Sequence, residues 1–221
     1  MKKIGQYIFY FFNSLKNRGV FFTFRLMYNE WKWEKKLGIS TLQIENPSFG
    51  ERSQEFHHYQ GASYFVMREM FSRLPAEAKR GAFFDIGCGK GRAMIVAAMN
   101  GFKKVSGLDL SSSLLRQAKR NTEKCRLNLS ATDFVFIEHN AEEFNLPDDV
   151  TLVFLFNPFG EAVMEKVVKR CNNSLSVKPR QLFVLYLNPK YQSPWINDGF
   201  NVVHVFRSKN YEEAVLFCSI S

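Results

Sequence analysis

The chain has 221 residues, 46% of them hydrophobic and 23% charged, with a formal net charge of +9. That composition suits one sizeable folded domain plus an extension, and it excludes a disordered or collagen-like chain. Cys88, Cys125, Cys171 and Cys218 are widely spread, with no Cys-x-x-Cys pair and no Cys/His group at zinc spacing; this argues against a structural metal site and reads as reduced thiols of a cytoplasmic protein.

The charge is unevenly placed. Residues 1–40 hold eight Lys/Arg against Glu30 and Glu34, a net +6, whereas the rest of the chain is close to balanced. A nucleic-acid groove would gather its cations around the reactive centre instead. This first segment is also aromatic, with eleven Phe, Tyr and Trp in its first 36 residues. Ile4, Ile8, Phe11 and Leu15 share one helix face, and Val20 to Lys36 carries Phe21, Phe22, Phe24, Leu26, Trp31 and Trp33 between charges. No run approaches the ~18 apolar residues of a membrane span. Met-Lys-Lys followed by an apolar stretch lacks the small-residue cleavage site of a signal peptide. Three readings of this arm stay open: a lid on the following domain, a homodimer contact, or a helix lying on a membrane surface.

Leu37 to Arg52, with Gly38, Pro47 and Gly50, reads as a connecting loop. The expected division is therefore 1–52 for arm and linker and 53–221 for the main domain. His57 and His58 are adjacent and point apart, which fits a surface or lid role better than metal binding. Tyr59 to Leu74 reads as a helix stopped by Pro75.

Ala82–Ile86 reads as a buried strand that runs into Gly87-Cys88-Gly89-Lys90-Gly91-Arg92 and then a helix over Ala93–Met99. Glycines at every second position allow a tight turn and let a ligand approach the main chain. Amides opening the next helix favour negative charge. The spacing is neither the dinucleotide-binding G-x-G-x-x-G nor a P-loop. Asp85, two residues before the first glycine, suits a cationic group such as the amino group of an amino acid and would repel a pyrophosphate. Cys88 reads as a small filler whose backbone meets the ligand; no base accompanies it to make it a nucleophile. A second strand, Val105–Leu108, ends at Asp109, about 20 residues after the turn, where a carboxylate can accept hydrogen bonds from ribose hydroxyls. Ser111 or Ser112 then caps a helix reaching Asn121.

Further strands are expected at Phe134–Glu138, Thr151–Phe156 and Gln181–Leu187, the last an unbroken apolar run of the kind buried on both faces. A helix over Glu161–Asn172 separates the last two. Asn201–Arg207 and Glu213–Ile220, joined by a short link, imply an antiparallel hairpin. Alternating β and α units ending in a hairpin imply an α/β, doubly wound, mostly parallel sheet with a helical N-terminal arm. The 23 phenylalanines fall largely within these runs and read as core.

Asp85-x-Gly-x-Gly-x-Gly91 followed by Asp109 resembles the class I S-adenosylmethionine (SAM) methyltransferases. The resemblance continues through His139-Asn140-Ala141-Glu142 after the third strand and Asn157-Pro158-Phe159-Gly160 after the fourth, in the family's order. Its style is also similar to a bacterial subgroup distantly related to the Dot1-type lysine methyltransferases. It implies a seven-stranded sheet whose last strand is inserted antiparallel, and SAM as cofactor. It implies cofactor contacts from Asp85, Ile86, Gly87, Cys88, Gly89, Gly91, Asp109, Leu110 and Asn157. Asn140 and Ala141 would meet the adenine, although most members carry Asp where this chain has Asn140. Tyr64 would reach the methionine end.

The Asn157-Pro158-Phe159 segment is similar to the Asn/Asp-Pro-Pro-Tyr/Phe loop of amino methyltransferases, in which the amide accepts from a target NH₂ and the ring stacks on it. Here the second proline is missing and the aromatic comes one place early. The expected activity is methyl transfer to an acceptor left open, an amine being one candidate among a protein amine, a small molecule, a lipid- or sugar-linked molecule and a nucleobase. The alternative is a non-catalytic module of the same fold that binds a partner or a membrane through its arm.

Overall fold

The apolar runs pair side by side into one sheet. In the computed structural model, which describes residues 2–43, 60–127, 129, 131–156 and 159–220, β1 (Ala82–Ile86), β2 (Lys104–Asp109), β3 (Asp133–Glu138), β4 (Val150–Phe156) and β5 (Phe183–Leu187) run parallel. β6 (Phe200–Ser208) and β7 (Tyr211–Ser219) complete the order β3-β2-β1-β4-β5-β7-β6, with β7 antiparallel to both neighbours. The doubly wound seven-stranded sheet with its inserted antiparallel strand is as expected.

Every residue of β1 and β5 is buried, because helices cover both faces of these central strands. Side chains alternate between two cores. Phe83, Leu152 and Phe154 face the layer that holds α3 (Tyr64–Phe71) and α4 (Arg92–Met99). Phe84, Val153 and Leu155 face the layer of α6 (Glu161–Val177). Phenylalanines of the sheet domain build its core, whereas Phe9, Phe12, Phe21 and Phe24 of the arm are exposed: rings of Phe71, Phe83, Phe102 and Phe154 interlock with centroids 5.5–6.4 Å apart. Each such pair contributes about 0.5–1.5 kcal/mol beyond burial alone.

Local signals set several helix ends. Ser111 caps α5 (Ser112–Lys124) by accepting from the Leu114 amide. Ser63 does the same for α3, which starts later than the expected Tyr59; residue 59 lies outside the described residues. α7 (Ser193–Asn197) was not anticipated, since five residues with a proline in the first turn carry no readable period.

The arm is two helices, α1 (Lys2–Arg18) and α2 (Val20–Leu37), with an elbow at Gly19 where φ is +84°. α2 ends at Gly38, a left-handed cap whose N–H donates to the Glu34 carbonyl at 2.9 Å. Trp33, Leu37 and Ile39 bury into the same core as α3 and α4. α1 stands differently: Ile8, on its expected packing face, is exposed, and Ser14 is buried against the Thr23 hydroxyl at 2.9 Å.

Candidate functional site

The carboxyl ends of β1, β2, β3 and β4 lie along one edge of the sheet, and the expected site residues follow them. Gly87, Gly89 and Gly91 adopt φ of +80°, +53° and +77°, a turn that L-residues with a Cβ do not follow without strain. A Cβ on Gly91 would also lie 3.0 Å from the Ala118 methyl. The turn satisfies its own amides. Gly87 and Cys88 N–H both donate to the Leu108 carbonyl at 2.8 and 2.9 Å, and Gly91 N–H donates to the Cys88 carbonyl at 2.9 Å. Gly89 N–H donates to Asp109 Oδ2 at 2.8 Å. Four amides that a phosphate would need are thus already engaged.

Two buried carboxylates flank the turn. Asp109 is pinned through both oxygens, Oδ1 accepting from Ser111 N–H at 2.8 Å. Burial raises its pKa above the ordinary range, and the Ser111, Gly89 and Leu110 amides oppose that rise. Burial, and then the Asp109 charge, push the Asp85 carboxyl well above its usual value. A cation placed beside Asp85 would relieve both penalties. The Cys88 thiol is pushed up too, by burial and then by the Asp109 and Asp85 charges, so it is a protonated filler rather than a nucleophile. Ile86 is buried as core, whereas Gly87 and Leu110 are exposed at the sheet edge.

After β3, Asn140 forms a tight side-chain turn. Its Oδ1 accepts from Glu142 N–H and its Nδ2 donates to Glu142 Oε2, each at 3.0 Å. Glu142 is held in turn by Lys166. Ala141 is buried beside it. Asn140 is therefore a preorganised amide at the carboxyl end of β3. Asn157 and Pro158 lie outside the described residues, as do His57 and His58. Phe159 is 3% exposed and packs in the α6 core. Its ring has no free face for a target, which corrects the stacking expectation.

Tyr64 also departs from expectation. It has no accessible surface, its hydroxyl donates to Glu34 at 3.0 Å and its N–H to Glu30 at 2.9 Å. It holds the arm rather than facing the turn's open side.

The turn also carries two cations whose partners lie far away in the chain. Arg92 is buried and donates to Thr41 Oγ1 at 2.6 Å, to the Ala62 carbonyl at 2.7 Å and to Glu30 and Glu34, while lying 4.3 Å from the Tyr64 ring centroid. Glu34 also accepts from the Thr41 amide at 2.8 Å. Lys90 is buried as well and donates to the Gln43 carbonyl at 3.0 Å. Asn121 donates to the Lys90 carbonyl at 3.0 Å. Both cations clamp residues of the arm and linker onto the cofactor turn. The alternation of two basic residues with the glycines was the available signal. An open cavity of about 370 Å³ lies behind Lys90, bordered by Arg120 and Lys124; neither Asp85 nor Asp109 lines it, so it is separate from the carboxylate site.

Residues 83–178 match the family model of a methyltransferase domain. No curated protein matches the chain. Solved structures share its fold. Ribosomal protein L11 methylase from Lactobacillus delbrueckii subsp. bulgaricus aligns with TM-score 0.52 and 16% identity, over 71% of this chain and 78% of that one. Magnesium protoporphyrin IX methyltransferase from Synechocystis PCC 6803, solved with bound SAM, gives 0.53 and 17%, over 71% and 79%. A SAM-dependent methyltransferase from Aquifex aeolicus gives 0.54 and 15%, over 76% and 93%. Residues 83–178 thus match the model of a methyltransferase domain, and the chain shares the fold of these methyltransferases, one of them solved with SAM bound.

Proposed function

We propose that this protein methylates an amine nitrogen, with Asp85 receiving the cofactor's ammonium group, Asp109 its ribose hydroxyls, and Asn140 and Ala141 its adenine. The observation that carries the reading is the pair of buried carboxylates beside a glycine turn whose four amides are already bonded. Such a site favours a zwitterionic, ribose-bearing ligand over a polyphosphate. When bound, SAM would offer a sulfonium methyl carbon to an unprotonated amine nitrogen, the N–C bond forming as the C–S pair leaves with sulfur and the nitrogen's extra proton passing to solvent. The chain's own part is to hold both reactants in line and shield them from water.

Acceptor binding falls to the Asn157-Pro158 segment after β4, in which the asparagine amide oxygen accepts an N–H of the target and so aims its lone pair. Phe159, buried in the α6 core, fixes the base of that segment. The likeness to Dot1-type enzymes rests on the same loop and on Gly-Lys-Gly-Arg, and does not settle the acceptor. Four free cysteines suit a reducing cytoplasm.

The test has two arms. Calorimetry should show binding of SAM and its demethylated product, and none of NAD or ATP; comparable NAD affinity would sink the cofactor assignment. Label from methyl-labelled SAM should appear in an amine of a fractionated extract. Asn157→Ala should lower the saturated rate more than SAM affinity. An equal loss in both would make Asn157 a cofactor residue.

A further inference from the structure

The two arm helices carry an apolar surface that the domain does not use. Among the described residues, ten of the seventeen exposed large hydrophobic side chains lie between Ile8 and Trp31. On α2, Phe21, Phe24, Tyr28 and Trp31 recur at i, i+3, i+7 and i+10, one stripe of the helix. Phe21 is 94% exposed and Trp31 59%. The opposite face, with Trp33 and Leu37, is the one that enters the core. α1 extends the stripe: Phe9 is 67% and Phe12 63% exposed, and Phe11 meets Phe24 edge-on at 6.3 Å. Monomeric soluble proteins rarely leave such a contiguous patch uncovered.

The stripe is edged by cations. Lys32 lies 5.6 Å from the Tyr28 ring centroid and Lys35 5.1 Å from that of Trp31. Lys36 sits over Trp33 at 4.7 Å. Both helices are also held in place from behind. Arg18 pairs with the buried Glu213 and lies 4.0 Å from the Tyr211 ring centroid. Glu30 and Glu34 pair with Arg92. The ion pairs fix the inner faces, so the aromatic stripe is presented outward on a rigid support.

We propose that α1 and the outer face of α2 dock this protein onto an anionic lipid surface, in the plane of the headgroups. Three observations choose that occupant. No helix among the described residues is long and apolar enough to cross a membrane. Aromatic rings flanked by Lys and Arg are the side chains that settle at the headgroup boundary. A second copy of the chain would set one arm of net charge +6 against another across a two-fold contact, whereas acidic lipids complement that charge. This inference stands apart from the methyl-transfer reading and does not depend on it.

Full-length protein should co-sediment with vesicles of phosphatidylcholine mixed with phosphatidylglycerol, far less with phosphatidylcholine alone, and should be released by high salt. Trp31 is the exposed tryptophan, Trp33 and Trp195 being buried. Binding should therefore shift the emission to the blue, and Trp31→Phe should abolish the shift while binding persists. Lys32→Glu and Lys35→Glu should each weaken partitioning about fivefold or more. Phe21→Ser with Phe24→Ser should remove it with the melting transition preserved, since these side chains are solvent-exposed. Binding that is equal on neutral and acidic vesicles, or no vesicle binding, overturns the proposal. A dimer in sedimentation equilibrium that those serines dissociate, without vesicle binding, overturns it in favour of a second copy.

Discussion

Asp109→Ala tests the proposed cofactor site most directly, because this carboxylate holds the glycine turn in the structure and is proposed to bind the ribose as well. It accepts the Gly89 and Ser111 amides, both at 2.8 Å. Hydrogen bonds to a charged acceptor contribute about 1.5–3 kcal/mol each, so the gross loss is about 3–6 kcal/mol. Against this, alanine removes a buried charge that raises the Asp85 pKa. The net destabilisation without ligand should be about 1–3 kcal/mol. For a chain of this size that lowers Tm by about 2–12 °C. The second duty is the ribose, whose loss should weaken SAM about 5- to 150-fold, equivalent to ~1–3 kcal/mol. Thermal unfolding followed by circular dichroism reads the first loss and calorimetry the second. Asp109→Asn can keep one amide bond without the charge. It should recover part of the stability and little of the affinity. Unchanged Tm together with unchanged SAM affinity in the alanine variant would refute both the turn geometry and the site.

Arg92→Met should destabilise the protein by about 2–4 kcal/mol, because the half-buried Glu30 and Glu34 would be left without their buried cation. Adding Glu30→Gln and Glu34→Gln should return part of that loss; a single-variant loss below about 1 kcal/mol in urea unfolding contradicts the clamp. The raised Asp85 pKa makes SAM affinity pH-dependent. Its carboxylate, proposed to receive the cofactor's ammonium, forms only as pH rises through a value well above the ordinary carboxylate range. Affinity should therefore climb with pH across that window, by at most about tenfold per unit. In the ligand-free protein the same shift adds stability at low pH that is lost as pH rises through the folded pKa. Calorimetry at several pH values checks the affinity, and Asp85→Asn should flatten the profile. Deleting residues 1–18 should leave a cooperative thermal transition, since α1 adds mainly the Arg18–Glu213 pair. Deleting 1–38 should abolish it, because Trp33, Leu37, Glu30 and Glu34 go with it.

The strands, the glycine turn and the two carboxylates were legible in the chain because each is a local statement. A buried strand writes itself as consecutive apolar residues, as in Phe183–Leu187, and a left-handed turn writes itself as glycines. Asp109 stands at a strand end, and Ser111 two residues later is a cap; both follow from spacing alone. The same logic failed where a residue's partner is remote. Arg92 and Glu34 are 58 positions apart, and Lys90 and Gln43 are 47 apart. No period within either segment signals that they meet. Tyr64 and Phe159 were placed at the ligand by motif, yet packing turned one toward Glu34 and the other into the α6 core. α2 is the clearest case. Its sequence carries two apolar faces with cations between them, and amphipathic periodicity ranks them equally. Only the sheet decided between them. α3 and α4 on its surface offered a matching apolar groove and a buried arginine to one face, and left the stripe from Phe21 to Trp31 outside, because a helix lying on a flat layer can bury a single side.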